Sequence, residues 1–340
     1  MEKIPLSGKT PDELREIVTA LHMPAFSAGQ LAEWLYKKRV GTFDAMSNIS
    51  AKHRAVLAER YETGRVAPLH VVTSRDGTCK YLFQTAHGLV ETVYIPDKDR
   101  HSLCVSCQVG CKMNCHFCMT GKQGWTGNLS AAEILNQVYA VADIHPLTNI
   151  VFMGMGEPFD NTDEVLRALT VLTAEWGTAY SPRRITVSSV GIMSGLKRFL
   201  TESSCHLAIS LHNPFPEERL AVMPVEKAFP VENIIKELRN YDFAHQRRLS
   251  FEYIVFDGKN DTQRHAAALV RLLKGLPCRV NLIRFHAVEG IELRSPAIEK
   301  MELFRDYLTH HGIISTIRRS RGEDIAAACG QLSSINNGTK

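Results

Sequence analysis

The chain has 340 residues, 44% hydrophobic and 22% charged, with 40 Lys and Arg against 36 Asp and Glu for a net charge of +4. The length suffices for one large domain or two smaller ones with real cores, and the composition is that of an ordinary globular protein. No apolar run approaches the roughly 18 residues of a membrane span, and the opening MEKIPLSGKTPDELREIV lacks the apolar stretch of a secretory signal. The expectation is a cytoplasmic protein in a reducing setting, where a stable disulfide knot is rare. The weak positive balance permits nucleic-acid binding without demonstrating it.

Residues 9 to about 62 read as short helices. Thr10-Pro11-Asp12-Glu13 combines a capping box with proline at the first helical position. Ser27-x-x-Gln30 repeats the box, with Phe26 as a hydrophobic staple, and opens QLAEWLYKKRV. Its Lys37-Lys38-Arg39 ending suits the helix dipole. APLHVVTSRDGTCKYLFQTAHGLVETVYIP follows, with β-rich runs broken at Asp76-Gly77 and His87-Gly88, which predicts a small antiparallel sheet. From about residue 100, apolar β-branched runs (NIVFMGMGEP, RITVSSVG, CHLAISLHNP, LSFEYIVFDG, RVNLIRFHAVEG) alternate with helical patterns. That alternation predicts a parallel sheet buried on both faces. About six units would make a whole or partial TIM-type barrel, with an open doubly wound sheet as the rival. Either way, ligands belong at the carboxyl ends of the strands.

Five of the nine cysteines fall between 104 and 118. A structural zinc site takes four ligands, usually as two pairs. Cys111-x3-Cys115-x2-Cys118 has no second pair, and Cys107 would be a cramped fourth ligand. Three thiolates on a four-iron cube leave one iron open to a substrate. This spacing, with Phe117 before the last cysteine, matches the radical S-adenosylmethionine signature. A zinc site is the alternative. At later strand ends, Gly156 and Glu157 in MGMGEP, then Ser188, Ser210, His212 and His286, are suited to contacts with S-adenosylmethionine. Cys79, Cys205 and Cys278 read as packing. Cys329 stands in RRSRGEDIAAACGQL after a basic segment, either as a plain helix end or as a catalytic thiol.

CVSCQVGCKMNCHFCMTGKQG, VFMGMGEPFDN, ITVSSVGIMSG, LAISLHNP, FEYIVFDGKND and RRSRGEDIAAACGQL together resemble the RlmN/Cfr family of radical-SAM RNA methyltransferases, in order from about residue 8 to 333. The helical start and GLVETVYIP resemble the RlmN branch. The resemblance implies an α/β fold, a partial (β/α)6 barrel over 99–340, with an N-terminal helical domain (1–64, an RNA-binding candidate) and a β extension (65–98). It implies a [4Fe-4S] cluster on Cys111, Cys115 and Cys118, and S-adenosylmethionine on Gly156, Glu157, Ser188, Ser210, Leu211, His212 and His286. Cys329 would be the methylated cysteine, Cys104 the resolving one through a transient Cys104–Cys329 disulfide, and Glu91 the proton acceptor. The implied reaction methylates carbon 2 of an adenine in 23S rRNA, and of the adenosine beside the anticodon in tRNA. It runs through a methylcysteine and a protein–RNA adduct, with two S-adenosylmethionine per turnover. A flavodoxin- or ferredoxin-type reductant, a monomer and no membrane are further expectations. Two positions depart from the family pattern: His286 stands where asparagine is commoner, and Cys107 where serine is. Lys112, Lys122, Arg183, Arg184, Arg318, Arg319 and Arg321 are candidate phosphate contacts near strand ends and loops, serving an adenine that must leave its stack. Methylation at carbon 8, as in Cfr, and a zinc-stabilised RNA-binding module are the rival functions.

Overall fold

The computed structural model describes residues 3–244, 247–287 and 290–333; residues 1–2 and 334–340, at the outer limits of the expected divisions, lie outside it. The N-terminal unit contains helices Pro11–Ala20, Ser27–Ala32 (running on as a π-helical turn, Glu33–Lys37) and Ala51–Arg60. The first starts as its sequence dictates. Thr10 Oγ1 accepts from Glu13 N at 3.3 Å, and Glu13 Oε2 accepts from Thr10 N at 2.7 Å. Two otherwise orphaned amides are thereby satisfied.

The second expected box does not form. Ser27 is the buried first residue of its helix, Gln30 donates to the Asn48 carbonyl, and Phe26 is 69% exposed rather than stapled. The turn begins earlier, at Pro24, whose carbonyl accepts from Ser27 N, and the Gln30 amide is taken by the Phe26 carbonyl.

Ten strands form one continuous sheet. In chain order they are β1 (His70–Thr73), β2 (Cys79–Thr85), β3 (Gly88–Asp97), β4 (Arg100–Cys104), β5 (Asn149–Phe152), β6 (Ile185–Ser189), β7 (His206–Ser210), β8 (Leu249–Val255), β9 (Arg279–Arg284) and β10 (Ile314–Arg318). β1 to β4 pair antiparallel, and β4 to β10 pair parallel. The hairpins expected as a small sheet are therefore an edge of the main one, joined by pairing from Val93↔Cys104 to Asp97↔Arg100. Neighbour order follows chain order, without the reversal of a doubly wound sheet. Helices intervene at each parallel step: Ala131–Ala142, Thr162–Thr173, Met193–Glu202, Pro216–Val222 with Val231–Leu238, Gln263–Leu273 and Ile298–His310. Among the described residues nothing pairs β10 to β4, so the array is an open barrel.

β8 is buried along its whole length, as a central parallel strand covered on both faces must be. β10 is a seventh parallel strand, beyond the six expected. Its residues ISTIR are only half-buried or exposed, so its sequence lacks the apolar run that marks the others.

Candidate active site

β4 delivers the chain to Cys104 at the carboxyl edge of the sheet. Beyond it, Gln108–Gly110 pairs antiparallel with Trp125–Asn128, closing the base of the loop that carries Cys111, Cys115 and Cys118. Cys111 N donates to Gly124 O at 2.9 Å. Gly110 (φ +76°) permits that approach, because a Cβ there would fall 1.7 Å from Gly124 O.

The three cysteines line one cavity. Burial pushes the Cys111 thiol up to about 12 and the Cys115 thiol well above its ordinary range, the neighbouring sulfurs adding to both. Bound metal would supply the positive charge that turns such thiols into thiolates. Among the described residues, no three His, Cys, Asp or Glu side chains converge as ligands of a single ion would. Three soft donors spread around one cavity fit a cluster whose irons are ligated separately. Cys107 does not join them. It is 2% exposed, its carbonyl accepts from Asn161 Nδ2 and Leu129 N, and burial keeps its thiol protonated.

Gly156, Glu157, Ser188, Ser210 and His212 line the same cavity. Gly156 (φ +100°) packs directly on Gln108, whose Cβ would lie 2.6 Å from an added methyl, while Gln108 Oε1 accepts from Glu157 N at 2.8 Å. The Glu157 carboxylate accepts from Phe159 N, Ser189 Oγ and Val190 N, yet burial still raises its pKa to about 7. His212 holds a left-handed backbone (φ +56°) and its Nδ1 accepts from Ile254 N at 3.0 Å, which leaves Nε2 as the protonated nitrogen. Burial, with Arg219 nearby, takes its pKa down to about 3, so the ring is neutral. Arg219 is fully buried, pairs with Glu226, and donates to the carbonyls of Ser210 and Leu211 at 2.9 Å each. It thereby fixes the turn that presents Ser210 and His212, and Leu211 contributes backbone to this scaffold rather than cavity wall.

His286 is not brought to this wall. Its Nε2 meets Ser320 Oγ at 2.9 Å and its Nδ1 lies 3.8 Å from Glu323, so it pins the C-terminal segment. Sequence reasoning missed Glu252, which does line the cavity. Its Oε1 accepts from Asn281 Nδ2 at 2.7 Å, while Oε2 has no hydrogen-bond partner among the described residues and lies 3.6 Å from Arg318 Nε. The signal was available: one acid inside the apolar run LSFEYIVFDG.

The C-terminal segment brings Cys329 and Gly330 to the same cavity. Gly330 O accepts from Met119 N at 2.8 Å, and Leu332 O from Thr120 Oγ1 at 2.7 Å, both on the short helix after Cys118. From the other side the β1–β2 turn grips it: Asp76 Oδ2 accepts from Gly322 N, and Ser74 Oγ donates to Asp324. Cys329, Cys104 and Arg318 lie within reach of one another's charge. Arg318 does oppose protonation of both thiols, as expected of a nearby arginine. At buried Cys104 loss of solvent outweighs it and holds the thiol above the ordinary cysteine range, whereas Cys329 is an exposed residue on which Arg318 acts in the thiolate's favour. Glu91 is 1% exposed and pairs with Lys80 Nζ at 2.8 Å. All nine cysteines are free thiols, and no helix among the described residues is long and apolar enough to cross a membrane.

Of the candidate phosphate contacts, Lys112 already pairs with Asp160 at 2.9 Å and lies over the Trp125 ring, and Arg321 pairs with Asp97 at 3.0 Å. Arg183 and Arg184 precede β6, at the strand-start end of the barrel rather than the cavity end.

Residues 105–270 match the model of the Radical SAM superfamily, and residues 4–63 that of the Ribosomal RNA large subunit methyltransferase N-terminal domain. A crystal structure of a radical SAM methyltransferase from Sphaerobacter thermophilus superposes with a TM-score of 0.92 at 39% identity, over 97% of this chain and 99% of that one. The open barrel and the three-cysteine loop thus define a radical-SAM enzyme. The "Probable dual-specificity RNA methyltransferase RlmN" of Phocaeicola vulgatus is 60% identical over 97% of this chain and 95% of its own. The "Dual-specificity RNA methyltransferase RlmN" of Syntrophotalea carbinolica is 41% identical over 97% and 90%. This chain belongs to the RlmN family of radical-SAM RNA methyltransferases.

Proposed function

We propose that the enzyme methylates carbon 2 of an adenine in 23S rRNA and of the adenosine beside the anticodon in tRNA, using Cys329 as the methyl carrier. The observation that carries this reading is the entry of Cys329 into the cavity that also holds the three cluster cysteines and Glu157, Ser188, Ser210 and His212. The dual specificity for RNA in the names of the relatives supports a reading with two RNA substrates.

Cys111, Cys115 and Cys118 would hold a [4Fe-4S] cluster. Glu157, Glu252 and the two serines offer carboxylates and hydroxyls to the ammonium and ribose of S-adenosylmethionine. Carbon 2 lies between two ring nitrogens, is electron-poor, and will not attack a sulfonium methyl. A thiolate will. Cys329 sulfur therefore takes the methyl of a first S-adenosylmethionine, whose sulfonium leaves as a neutral thioether. A cluster on these cysteines, with a second S-adenosylmethionine, would supply removal of one hydrogen atom from that methyl and would take back the one electron left over once its carbon has bonded to carbon 2. The carbon then bonds to carbon 2 and tethers RNA to Cys329. Glu91 accepts the ring proton, and the Cys104 thiolate attacks the Cys329 sulfur. That breaks the carbon–sulfur bond, whose electron pair stays with the carbon and takes up a proton to complete the methyl group, releases methylated RNA and leaves a transient disulfide for a cellular thiol reductant. Arg318, near both sulfurs, favours the thiolate each step requires.

The test is a map of methyladenosines, by mass spectrometry, in ribosomal and transfer RNA from cells with and without this gene. Loss of 2-methyladenosine is expected. Loss of 8-methyladenosine alone would contradict the assignment.

A further inference from the structure

The strand-start end of the barrel, opposite the cysteine cavity, holds a second concavity of about 960 Å³. Its wall includes Arg183, Arg248, Arg271, Lys274 and Arg279, and no carboxylate is among its lining residues. The arginines are not scattered. Arg183 lies in the turn leading into β6, Arg248 immediately precedes β8, and Arg279 opens β9. His206 opens β7 between them, and its Nδ1 accepts from Arg248 N at 2.8 Å. Adjacent strands lie about 4.8 Å apart, so four strand starts spread this row over roughly 14 Å.

The ordinary explanation for cations here is that they complement the negative ends of helices. It accounts for Arg247, which clasps the carbonyls of Phe199, Leu200 and Ser203, and for Arg239, which holds those of Leu272 and Lys274. It does not account for Arg183, Arg248 and Arg279. Their side chains make no ion pair and no hydrogen bond among the described residues, and all three residues are exposed. They also act on one another. Arg248, exposed as a residue but with part of its side chain shielded from solvent, is held below its ordinary pKa by that shielding and by Arg279, Arg100 and Arg318, and His206 is pushed down to about 4 by burial and by Arg248, Arg183, Arg247 and Arg279. Mutual repulsion of this kind is relieved by a polyanion.

We propose that this basin binds the phosphodiester backbone of the RNA substrate at a point remote from the target adenine, with Arg183, Arg248 and Arg279 as the contacting residues. The inference rests on the reading of RNA as substrate. Planar guanidinium groups suit phosphate oxygens, and such contacts fix the register of an RNA without reading its sequence. A strand of five to seven residues separates the basin from the cavity by about 20 Å. An RNA that reaches both ends must also pass around the helices covering the sheet, each about 10 Å across, so the basin would favour whole RNA over a short stem–loop.

The experiment measures binding of the full chain to a transfer RNA transcript and to its isolated anticodon stem–loop, across a salt series. It compares wild type with the Arg248→Gln/Arg279→Gln double variant and with Arg183→Gln, each first shown by thermal melting to fold. For transfer RNA the double variant should bind about 10-fold or more weakly near 0.15 M salt, with the log–log salt slope shallower by about 2, and Arg183→Gln should lose about 1. Stem–loop binding should be unchanged. Unaltered transfer RNA affinity and slope in all variants, or equal weakening for both RNAs, would overturn the basin while leaving the substrate reading intact. A wild type that binds neither RNA would overturn both.

Discussion

Ser333 N donates to Glu91 Oε2 at 2.9 Å, across 242 residues of chain. The contact joins β3, at the antiparallel edge of the sheet, to the segment that presents Cys329. The proposed proton acceptor and the proposed methyl carrier are thus on parts that hold each other in place. Glu91→Gln keeps an acceptor oxygen for Ser333 but no longer takes up a proton. It should cut RNA methylation about 100-fold or more, while the protein still methylates Cys329, as read from the intact mass of the protein. Full activity in Glu91→Gln would reduce Glu91 to an anchor.

In the proposed scheme Cys329 and Cys104 act at different steps, so their variants should differ in kind. Cys329→Ala should abolish RNA methylation and leave the visible absorbance of the iron centre unchanged. Cys104→Ala should form a covalent protein–RNA species that survives denaturing electrophoresis. Absence of any such adduct, with activity retained, contradicts the resolving role.

The proposed contact of Glu157 with the ammonium of S-adenosylmethionine would make binding depend on pH. Burial raises its folded-state pKa from 4.5 to about 7. The folded protein therefore holds the proton more tightly than the unfolded chain, and this group's contribution to ligand-free stability falls as pH rises from about 4.5 to about 7. The ammonium of the ligand needs the carboxylate form, so affinity should strengthen as pH rises through about 7, by up to roughly 10-fold per pH unit below it. Calorimetric titration from pH 6 to 8 checks this. Glu157→Gln should bind weakly with a flat profile, and a flat wild-type profile would remove the ionic contact.

Much of this site could be read in the sequence because its signals are local. The cysteine spacing, the Thr10–Glu13 capping box, which forms as its residues dictate, and the apolar strand runs are each written within a few residues. What stayed hidden depends on distant parts of the chain. The Ser27 box is the local exception: Pro24 and Ala25, just before it, already begin the turn and their carbonyls accept from Ser27 N and Ala28 N. β10 is a strand because β9 offers it an edge, not because ISTIR is apolar. His286 ends a strand, as a ligand should, but Ser320, 34 residues on, claims its Nε2. Glu252 is the converse case: an acid inside the apolar run LSFEYIVFDG is a local signal, and the structure adds the Arg318 beside it.

Gly110→Ala tests the base of the cysteine loop. The new methyl must displace the Gly124 carbonyl or force the φ of +76° onto an alanine, at a cost of about 2 kcal/mol or more. The variant should show a lower melting temperature and sub-stoichiometric iron. Wild-type iron content would show that the Gly110–Gly124 approach does not shape the metal site.

The most direct measurement is iron, acid-labile sulfide and zinc per chain in anaerobically purified protein, beside the Cys111→Ala/Cys115→Ala/Cys118→Ala variant. About four irons and four sulfides per wild-type chain, lost together in the variant, are expected of a [4Fe-4S] cluster on these thiolates. A colourless wild type carrying one zinc ion would contradict the account at its root.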